Sequence, residues 1–85
     1  MKREPEHFGD QELNLVYVAR KLKDARRLEE VLNGAGVEYL VEADRYWSGM
    51  IFRRERVGAF FYVVPGVEAS AREILRRAGF QPFDT

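Results

Sequence analysis

VGAFFYVV, residues 57–64, is the stretch that decides the fold, because it is apolar on both faces of a strand. Successive side chains of a strand point to opposite faces, so a run without polar alternation is buried on both sides. Residues 57–64 therefore predict the central strand of a sheet. Pro65 and Gly66 follow it and mark a break.

A helical pattern follows this strand, and a similar one precedes it. The apolar positions recur at helical spacing; they are Val67, Ala71, Ile74, Leu75 and Ala78 in the later helix, and Ala25, Leu28, Val31, Leu32 and Ala35 in the earlier one. Asp24 stands at a predicted N-cap position of the earlier helix. Gly36 and Gly79 are predicted to end the two helices in the left-handed conformation, with an apolar contact from the residue that follows.

Three further segments complete the predicted sheet. LNLVYVA, residues 13–19, is β-branched and aromatic, and VEYLVEAD, residues 37–44, alternates as a half-buried strand does. FQPF, residues 80–83, contains a proline that restricts it to a short edge strand. We therefore predict an α+β, ferredoxin-like βαββαβ sandwich, a four-stranded antiparallel sheet with two helices on one face. The predicted core is Val16, Val18, Leu28, Leu32, Val41, Phe61, Val63, Ile74 and Leu75.

Length and composition limit the classes of protein to consider. The 85 residues make one domain, residues 13–85, after a charged segment without periodicity, residues 1–12, that we predict to be a flexible tail. The formal net charge is zero, whereas dedicated nucleic-acid binders are usually basic. There is no cysteine and no apolar run of membrane-spanning length. We expect a cytoplasmic protein with no membrane segment, no metal and no cofactor.

The predicted topology gathers basic side chains at one end of the sheet. The first and second strands run parallel on either side of the third, so their carboxyl ends share an edge. The loop after the first strand and the long loop DRYWSGMIFRRER, residues 44–56, therefore meet beside a helix N-terminus, which favours anions. We predict an anion or ligand site there, made by Arg20, Lys21, Lys23, Arg45, Arg53, Arg54 and Arg56. The alternative is a solvated rim in which arginines pair with Asp44 and Glu55.

The sheet face away from the helices, here called the open face, is the second candidate surface. A large contiguous apolar patch usually marks an interaction site. We predict that the chain forms a homo-oligomer through this face; the predicted interface residues are Tyr17, Leu40, Trp47, Phe60 and Tyr62. For the aromatic residues of 44–56, packing on their own sheet edge and stacking on a base or flat ligand remain alternatives.

The sequence contains no catalytic signature. His7, the only histidine, lies in the predicted tail without an acidic or hydroxyl partner at a meaningful spacing. Glu38 and Glu42 share one face of a predicted strand, but no base, nucleophile or metal cluster joins them. We therefore predict that the chain is not an enzyme.

Residues 15–79 resemble a small bacterial family of signal-transducing proteins of unknown function, whose fold is similar to that of the PII nitrogen regulators. The matching segments are VYVAR, ARRLEEVLNGAG, VEYLVEAD, GAFFYVV and ASAREILRRAG. The resemblance implies a non-catalytic regulatory or interaction module that forms homo-oligomers by packing its open sheet faces together. It also implies that the loop between the second and third strands, residues 44–56, contacts a protein partner or a small anionic ligand. The PII nucleotide-binding motifs have no counterpart here, so ATP binding is not implied.

Two segments also resemble the RNA-recognition motif, which is the alternative function. VYVARKL is similar to its first signature, with Tyr17 at the stacking position, and RVGAFFYV is similar to its second, with Phe60 matching. The resemblance implies that RNA binds on the open face. The sequence departs from the motif at Gly58, and Glu38 and Glu42 on the same face would repel phosphates.

Overall fold

A computed structural model describes residues 1–48 and 54–83 of the chain, without the side chains of residues 47, 48 and 54. The described residues form three helices and three strands. In chain order they are α1 (Pro5–Phe8), β1 (Asn14–Ala19), α2 (Leu22–Gly34), β2 (Leu40–Ser48), β3 (Arg54–Val63) and α3 (Pro65–Arg77).

The sheet has three strands in the order β1-β3-β2, and both outer strands run antiparallel to β3. The predicted central position of the 57–64 strand is confirmed, but the predicted four-stranded ferredoxin-like sandwich is wrong. The described residues after α3, up to Phe83, form no strand. The backbone N–H of Phe83 does donate to the carbonyl of Val16 at 2.7 Å. Pro82 has no N–H, so this segment does not extend that contact into a ladder.

A β-bulge lies between Leu15 and Tyr17 in β1. Leu15 is opposite Tyr62, whereas Tyr17 is opposite Phe61, so β1 carries an extra residue at this point. Residues opposite each other in an antiparallel pair share a face. Tyr17 therefore joins the buried Phe61 on the helix face. The next residue, Val18, is opposite Phe60 and lies on the open face, so its predicted place in the core is wrong.

The core lies between the sheet and the two long helices. Its fully buried members are Val16, Leu28, Leu32, Tyr39, Phe61, Val63, Ala71 and Leu75. Tyr39 stacks on Phe61 with ring centroids 5.8 Å apart. Its hydroxyl donates to Oδ1 of Asn33 at 3.2 Å. Burial, aided by the negative charge of Glu29, raises the pKa of Tyr39 to about 12. Val41 and Ile74, predicted for the core, are only partly buried.

Both long helices end at the predicted glycines. The φ angles of Gly36 and Gly79 are 71° and 91°, in the left-handed region. The residue after each glycine donates its N–H to the carbonyl of Leu32 or Leu75, at 3.0 and 2.9 Å. These bonds satisfy carbonyl groups that a helix end leaves unpaired. Asp24 is not the N-cap, because α2 begins earlier and places this residue in its first turn.

The first twelve residues, predicted as a flexible tail, contact the start of β2. The backbone N–H of Arg3 donates to the carbonyl of Tyr39 at 2.8 Å. The Arg3 guanidinium and His7 Nε2 lie 2.9 and 3.0 Å from the two carboxylate oxygens of Glu38, and these hydrogen bonds lower the pKa of Glu38. Helix α1 places Phe8 in a buried position outside the core cluster. Since Tyr39 points into the core, Glu38 beside it points to the open face, where this segment packs.

Arg72 connects α3 to β1 and to the segment after α3. Its Nε donates to Oε2 of Glu68 at 2.9 Å, its Nη2 to the carbonyl of Leu15 at 3.2 Å, and its Nη1 to the carbonyl of Phe83. Glu68 also accepts a hydrogen bond from Nδ2 of Asn14 at 2.5 Å. Because Leu15 is where the bulge begins, one guanidinium holds both the bulged strand and the segment beside it.

Replacing Leu32 with alanine should lower the free energy of unfolding by about 2–5 kcal/mol, because Leu32 is fully buried and its truncation leaves a cavity. Leu22→Ala on the same helix is the matched control, since Leu22 is 68% exposed and its loss should change stability little. Urea unfolding measures both. Equal losses would show that α2 does not bury the face that carries Leu32.

Glu68→Gln should make stability less dependent on pH. Hydrogen bonds from Asn14 and Arg72 lower the pKa of Glu68 in the folded state. Its carboxylate therefore stabilises the fold fully above the unfolded pKa of about 4.3, and this contribution is lost as the pH falls through the folded pKa. In urea unfolding, the wild type should be more stable than the variant at pH 7, and the gap should narrow below about pH 4.

The matched control for this comparison is Glu73→Gln on the same helix. Glu73 is about half exposed and pairs with Arg77, and exposed ion pairs contribute little. A gap between the wild type and Glu68→Gln that stays constant from neutral to acidic pH would show that Asn14 and Arg72 do not favour the ionised carboxylate.

Candidate functional site

β2 and β3 continue past the end of β1 as a two-stranded ribbon, here called the arm (residues 44–48 and 54–58). β1 ends at Ala19, opposite Ala59, whereas the pairing of β2 with β3 continues to Ser48 and Arg54. The stretch 44–56, predicted as a loop, is therefore strand at both of its ends. Residues 49–53, at its centre, lie outside the described residues.

The structure brings part of the predicted anion site together at the base of the arm. The guanidinium carbon of Arg20 lies 5.3 Å from the centroid of the Tyr46 ring, so the loop after β1 contacts the arm. Lys21 is adjacent in the chain, at the N-cap of α2. Lys23 is exposed within the first turn of α2. Arg20 and Lys21 line one groove, described below, and Lys23 does not.

The remaining predicted cations lie on the arm. Nε of Arg45 is 2.9 Å from Oε1 of Glu55, which agrees with the alternative of local pairing. Arg56 is opposite Tyr46 and has an interaction partner. Arg53 lies outside the described residues, and Arg54 is described by its backbone only.

The predicted interface residues do not form one surface. Phe60 and Tyr62 are partly exposed on the open face, and burial together with the charge of Glu42 raises the pKa of Tyr62. Leu40 is on the same face, opposite Tyr62, but is only 6% exposed. It follows Glu38 on this face, so we infer that the N-terminal segment covers it.

Tyr17, the fourth interface candidate with a described side chain, is separated from this face by the bulge. Its ring makes an edge-to-face contact with Phe80, with centroids 5.5 Å apart. Trp47 is opposite Glu55 in the arm, and its side chain is outside the described part of the structure. Of the predicted interface residues with a described side chain, only Phe60 and Tyr62 are therefore partly exposed on the open face.

A groove of about 610 Å³ lies on the open face and reaches round the outer edge of β1. Its floor is apolar, and its end towards the arm is polar. The C-terminal segment forms one wall. The lining residues are Leu15, Tyr17, Val18, Arg20, Lys21, Asp24, Tyr46, Phe60, Gln81 and Phe83.

The polar end of this groove combines two cations with one carboxylate and one hydroxyl. Burial raises the pKa of Tyr17, the negative charge of Asp24 raises it further, and the positive charge of Arg20 opposes this effect. The Tyr17 hydroxyl therefore stays protonated at neutral pH and is able to donate a hydrogen bond. Arg20 and Lys21 supply the cationic groups beside it.

Gly58 determines where the Tyr46 ring lies. A Cβ at Gly58 would come 3.0 Å from Cε1 of Tyr46 and 3.2 Å from the carbonyl oxygen of Ala19. A glycine within a strand often marks such a close approach. The ring lies against the strand here and presents a face to Arg20, at a distance typical of a cation–π contact. Because Gly58 has no side chain, the Tyr46 ring can lie against the strand and contact Arg20, one of the cations of the groove.

An apolar hollow of about 250 Å³ lies on the helix side of the arm base. Leu22 and Val57, at 68% and 66%, are the most exposed large apolar side chains of the described residues, and both line this hollow. The rest of the lining consists of two basic residues, Arg20 and Lys21, and of small residues; the small ones are Ala19, Ala25, Ala43, Gly58 and Ala59. The hollow was not predicted from the sequence. The signal that could have indicated it is Leu22, an apolar residue in the basic segment before the predicted N-cap.

Gly58→Ala should shift the Tyr46 ring by a few tenths of an ångström and alter its contact with Arg20, because the new methyl group would lie only 3.0 Å from Cε1 of the ring. Nuclear Overhauser contacts and ring-current shifts between the two side chains measure the change. Gly66→Ala is the matched control, since a Cβ there meets no atom within 4 Å. Unchanged Arg20 shifts in Gly58→Ala would show that Gly58 does not position the ring.

Within residues 1–48 and 54–83, no group of three or more His, Cys, Asp or Glu side chains is arranged to hold a metal ion. No helix in the same part of the chain has the length and apolar character that crossing a membrane requires. No protein-family model, no curated protein and no solved structure matches this chain.

Proposed function

We propose that this chain is a non-catalytic interaction module, of the regulatory kind that its resemblance to the PII-like family implies, and that it self-associates at the base of the arm. The observation that carries the proposal is the joint exposure of Leu22 and Val57 in one hollow. Full burial of such a side chain contributes about 1.5–3 kcal/mol. A second protein surface over the hollow would bury both, and the small residues around them leave room for its side chains.

A second copy of the chain is the partner that this surface fits best. Arg45 is opposite Val57 in the arm, and Glu55 pairs with Arg45, so opposite charges lie next to the apolar side chain. In a two-fold contact the same patch meets itself, and each copy's Arg45 approaches the other's Glu55. Association also supports a domain of this size, which buries only about 60% of its unfolded surface.

The open face supports self-association less well than the hollow does. Leu40 is only 6% exposed, and Phe83 stands at one side of the groove as a wall. Two concave faces of this shape would leave a gap between them. The arm remains the element that we propose for contacts with further protein partners, as the resemblance implies.

We do not propose the RNA-binding alternative. The RNA-recognition motif needs the aromatic residue of its first signature on the open face, and Tyr17 lies on the helix face. Glu42 is opposite Phe60, so a carboxylate stands beside the aromatic residue of the second signature. Both observations disfavour the stacking of bases on this sheet.

Sedimentation equilibrium should give the wild type a mass above the 9.9 kDa monomer at high micromolar concentration. Leu22→Asp should give a folded monomer, because Leu22 is the first residue of α2, where a carboxylate favours the helix, and the charge opposes burial of the hollow. Ala69→Asp places the same charge at an exposed position on α3, away from the hollow, and should keep the wild-type mass.

A wild type that stays monomeric at high concentration would overturn the self-association. An oligomer that survives Leu22→Asp but is lost in Phe60→Glu would move the contact to the open face and contradict the role of the hollow. Circular dichroism of each variant shows whether the chain remains folded.

A further inference from the structure

The groove on the open face has the shape and lining of a small-molecule site. Leu15, Val18 and Phe60 form an apolar floor that is only partly buried. Phe83, 38% exposed, and Tyr46 stand at its sides. Its volume of about 610 Å³ falls within the range of about 300–1,000 Å³ typical of ligand pockets, which combine apolar walls with a few convergent polar groups.

The charges at one end of the groove favour a singly charged anion. Arg20 is positioned by the Tyr46 ring, and Lys21 lies beside it at the positive end of the α2 dipole. Asp24, also in the lining, opposes part of this positive charge. The Tyr17 hydroxyl is an additional donor at the same end. Two cations against one carboxylate leave a single positive charge, which suits a carboxylate head group better than a doubly charged phosphate.

We infer that this groove binds a small amphiphilic monoanion, a molecule with an apolar body and a single carboxylate-type head group. The body lies on Leu15, Val18 and Phe60, and the head group contacts Arg20 and Lys21. The inference goes beyond the self-association proposed above, because the body of the ligand lies on Leu15, Val18 and Phe60, which do not line the hollow, although Arg20 and Lys21 line both.

The position of the negative side chains argues against larger anions in the same place. Glu42 is opposite Phe60, and Asp44 follows it on the same strand face, so the side of the groove towards β2 is acidic. A polyanion that extends across the sheet would meet these carboxylates. A short molecule that lies along β1, between Phe83 and Arg20, avoids them.

Octanoate is the probe for this site, and the readout is an NMR titration of the full-length chain labelled with nitrogen-15. Amide shifts should change at Leu15, Val18, Phe60 and Arg20. Arg20→Gln should weaken octanoate binding by up to about fivefold, the upper end for an ion pair at an exposed site. Arg26→Gln, on the exposed surface of α2 and outside the groove lining, removes the same charge and should bind as the wild type does.

Two further ligands separate the apolar and anionic parts of the inference. Octanol has the same body without the charge, so it should bind more weakly, and its affinity should not change in Arg20→Gln. Inorganic phosphate has no apolar body and should shift neither Leu15 nor Phe60. Octanoate shifts at Leu15, Val18 and Phe60 test the groove independently of self-association, since these three residues do not line the hollow.

The inference is overturned by any of four results. These are no shift with octanoate, shifts that map to the hollow instead of the groove, equal binding of octanol and octanoate, or phosphate shifts that match those of octanoate. Wild-type affinity of Arg20→Gln for octanoate would likewise remove the head-group contact.

Discussion

The guanidinium of Arg72 is the contact on which the shape of the open face depends. It binds the carbonyl of Leu15, where β1 bulges, and the carbonyl of Phe83 in the segment that follows α3. The bulge turns Val18 towards the open face, and the segment supplies a wall of the groove. Glu68 holds the same guanidinium from α3, so a helix on one side of the sheet shapes the surface on the other.

The order of the main elements and the central strand could be predicted, because burial requires apolar residues at regular spacings in the sequence. The apolar run 57–64 and the two glycine-terminated helices carry that signal. The bulge could not be predicted, since neither glycine nor proline occurs in LNLVYVA, and the side chain that binds the carbonyl of Leu15 there, Arg72, lies far along the chain. The fourth strand was predicted because the ferredoxin-like topology requires one, although Pro82 already indicated a weak edge strand. The N-terminal contacts depend on Glu38, a partner that local sequence does not reveal.

The basic residues of the candidate site could be predicted from the sequence, but its apolar residues could not. Parallel outer strands bring the ends of β1 and β2 to one edge, and on that basis Arg20 and Lys21 were placed beside the arm. The arm itself was read as a loop, because an exposed ribbon has no buried face and so no alternation of apolar residues. Leu22 and Val57 were not identified, since their exposure depends on the tertiary structure, in which β1 ends at Ala19, opposite Ala59, and does not extend beside Val57.

The arm has a lower local stability than the part of the sheet that lies under the two long helices. Among the described residues, the strands of the arm pair only with each other, while those of the body lie under two helices. Hydrogen bonds with so little cover open at a small fraction of the global unfolding energy. Amide protons of the arm should therefore exchange with solvent through local fraying, long before those of α2 or α3. A protein that binds the arm must first order these strands. The entropic cost of that ordering makes the contact weaker and more readily reversed.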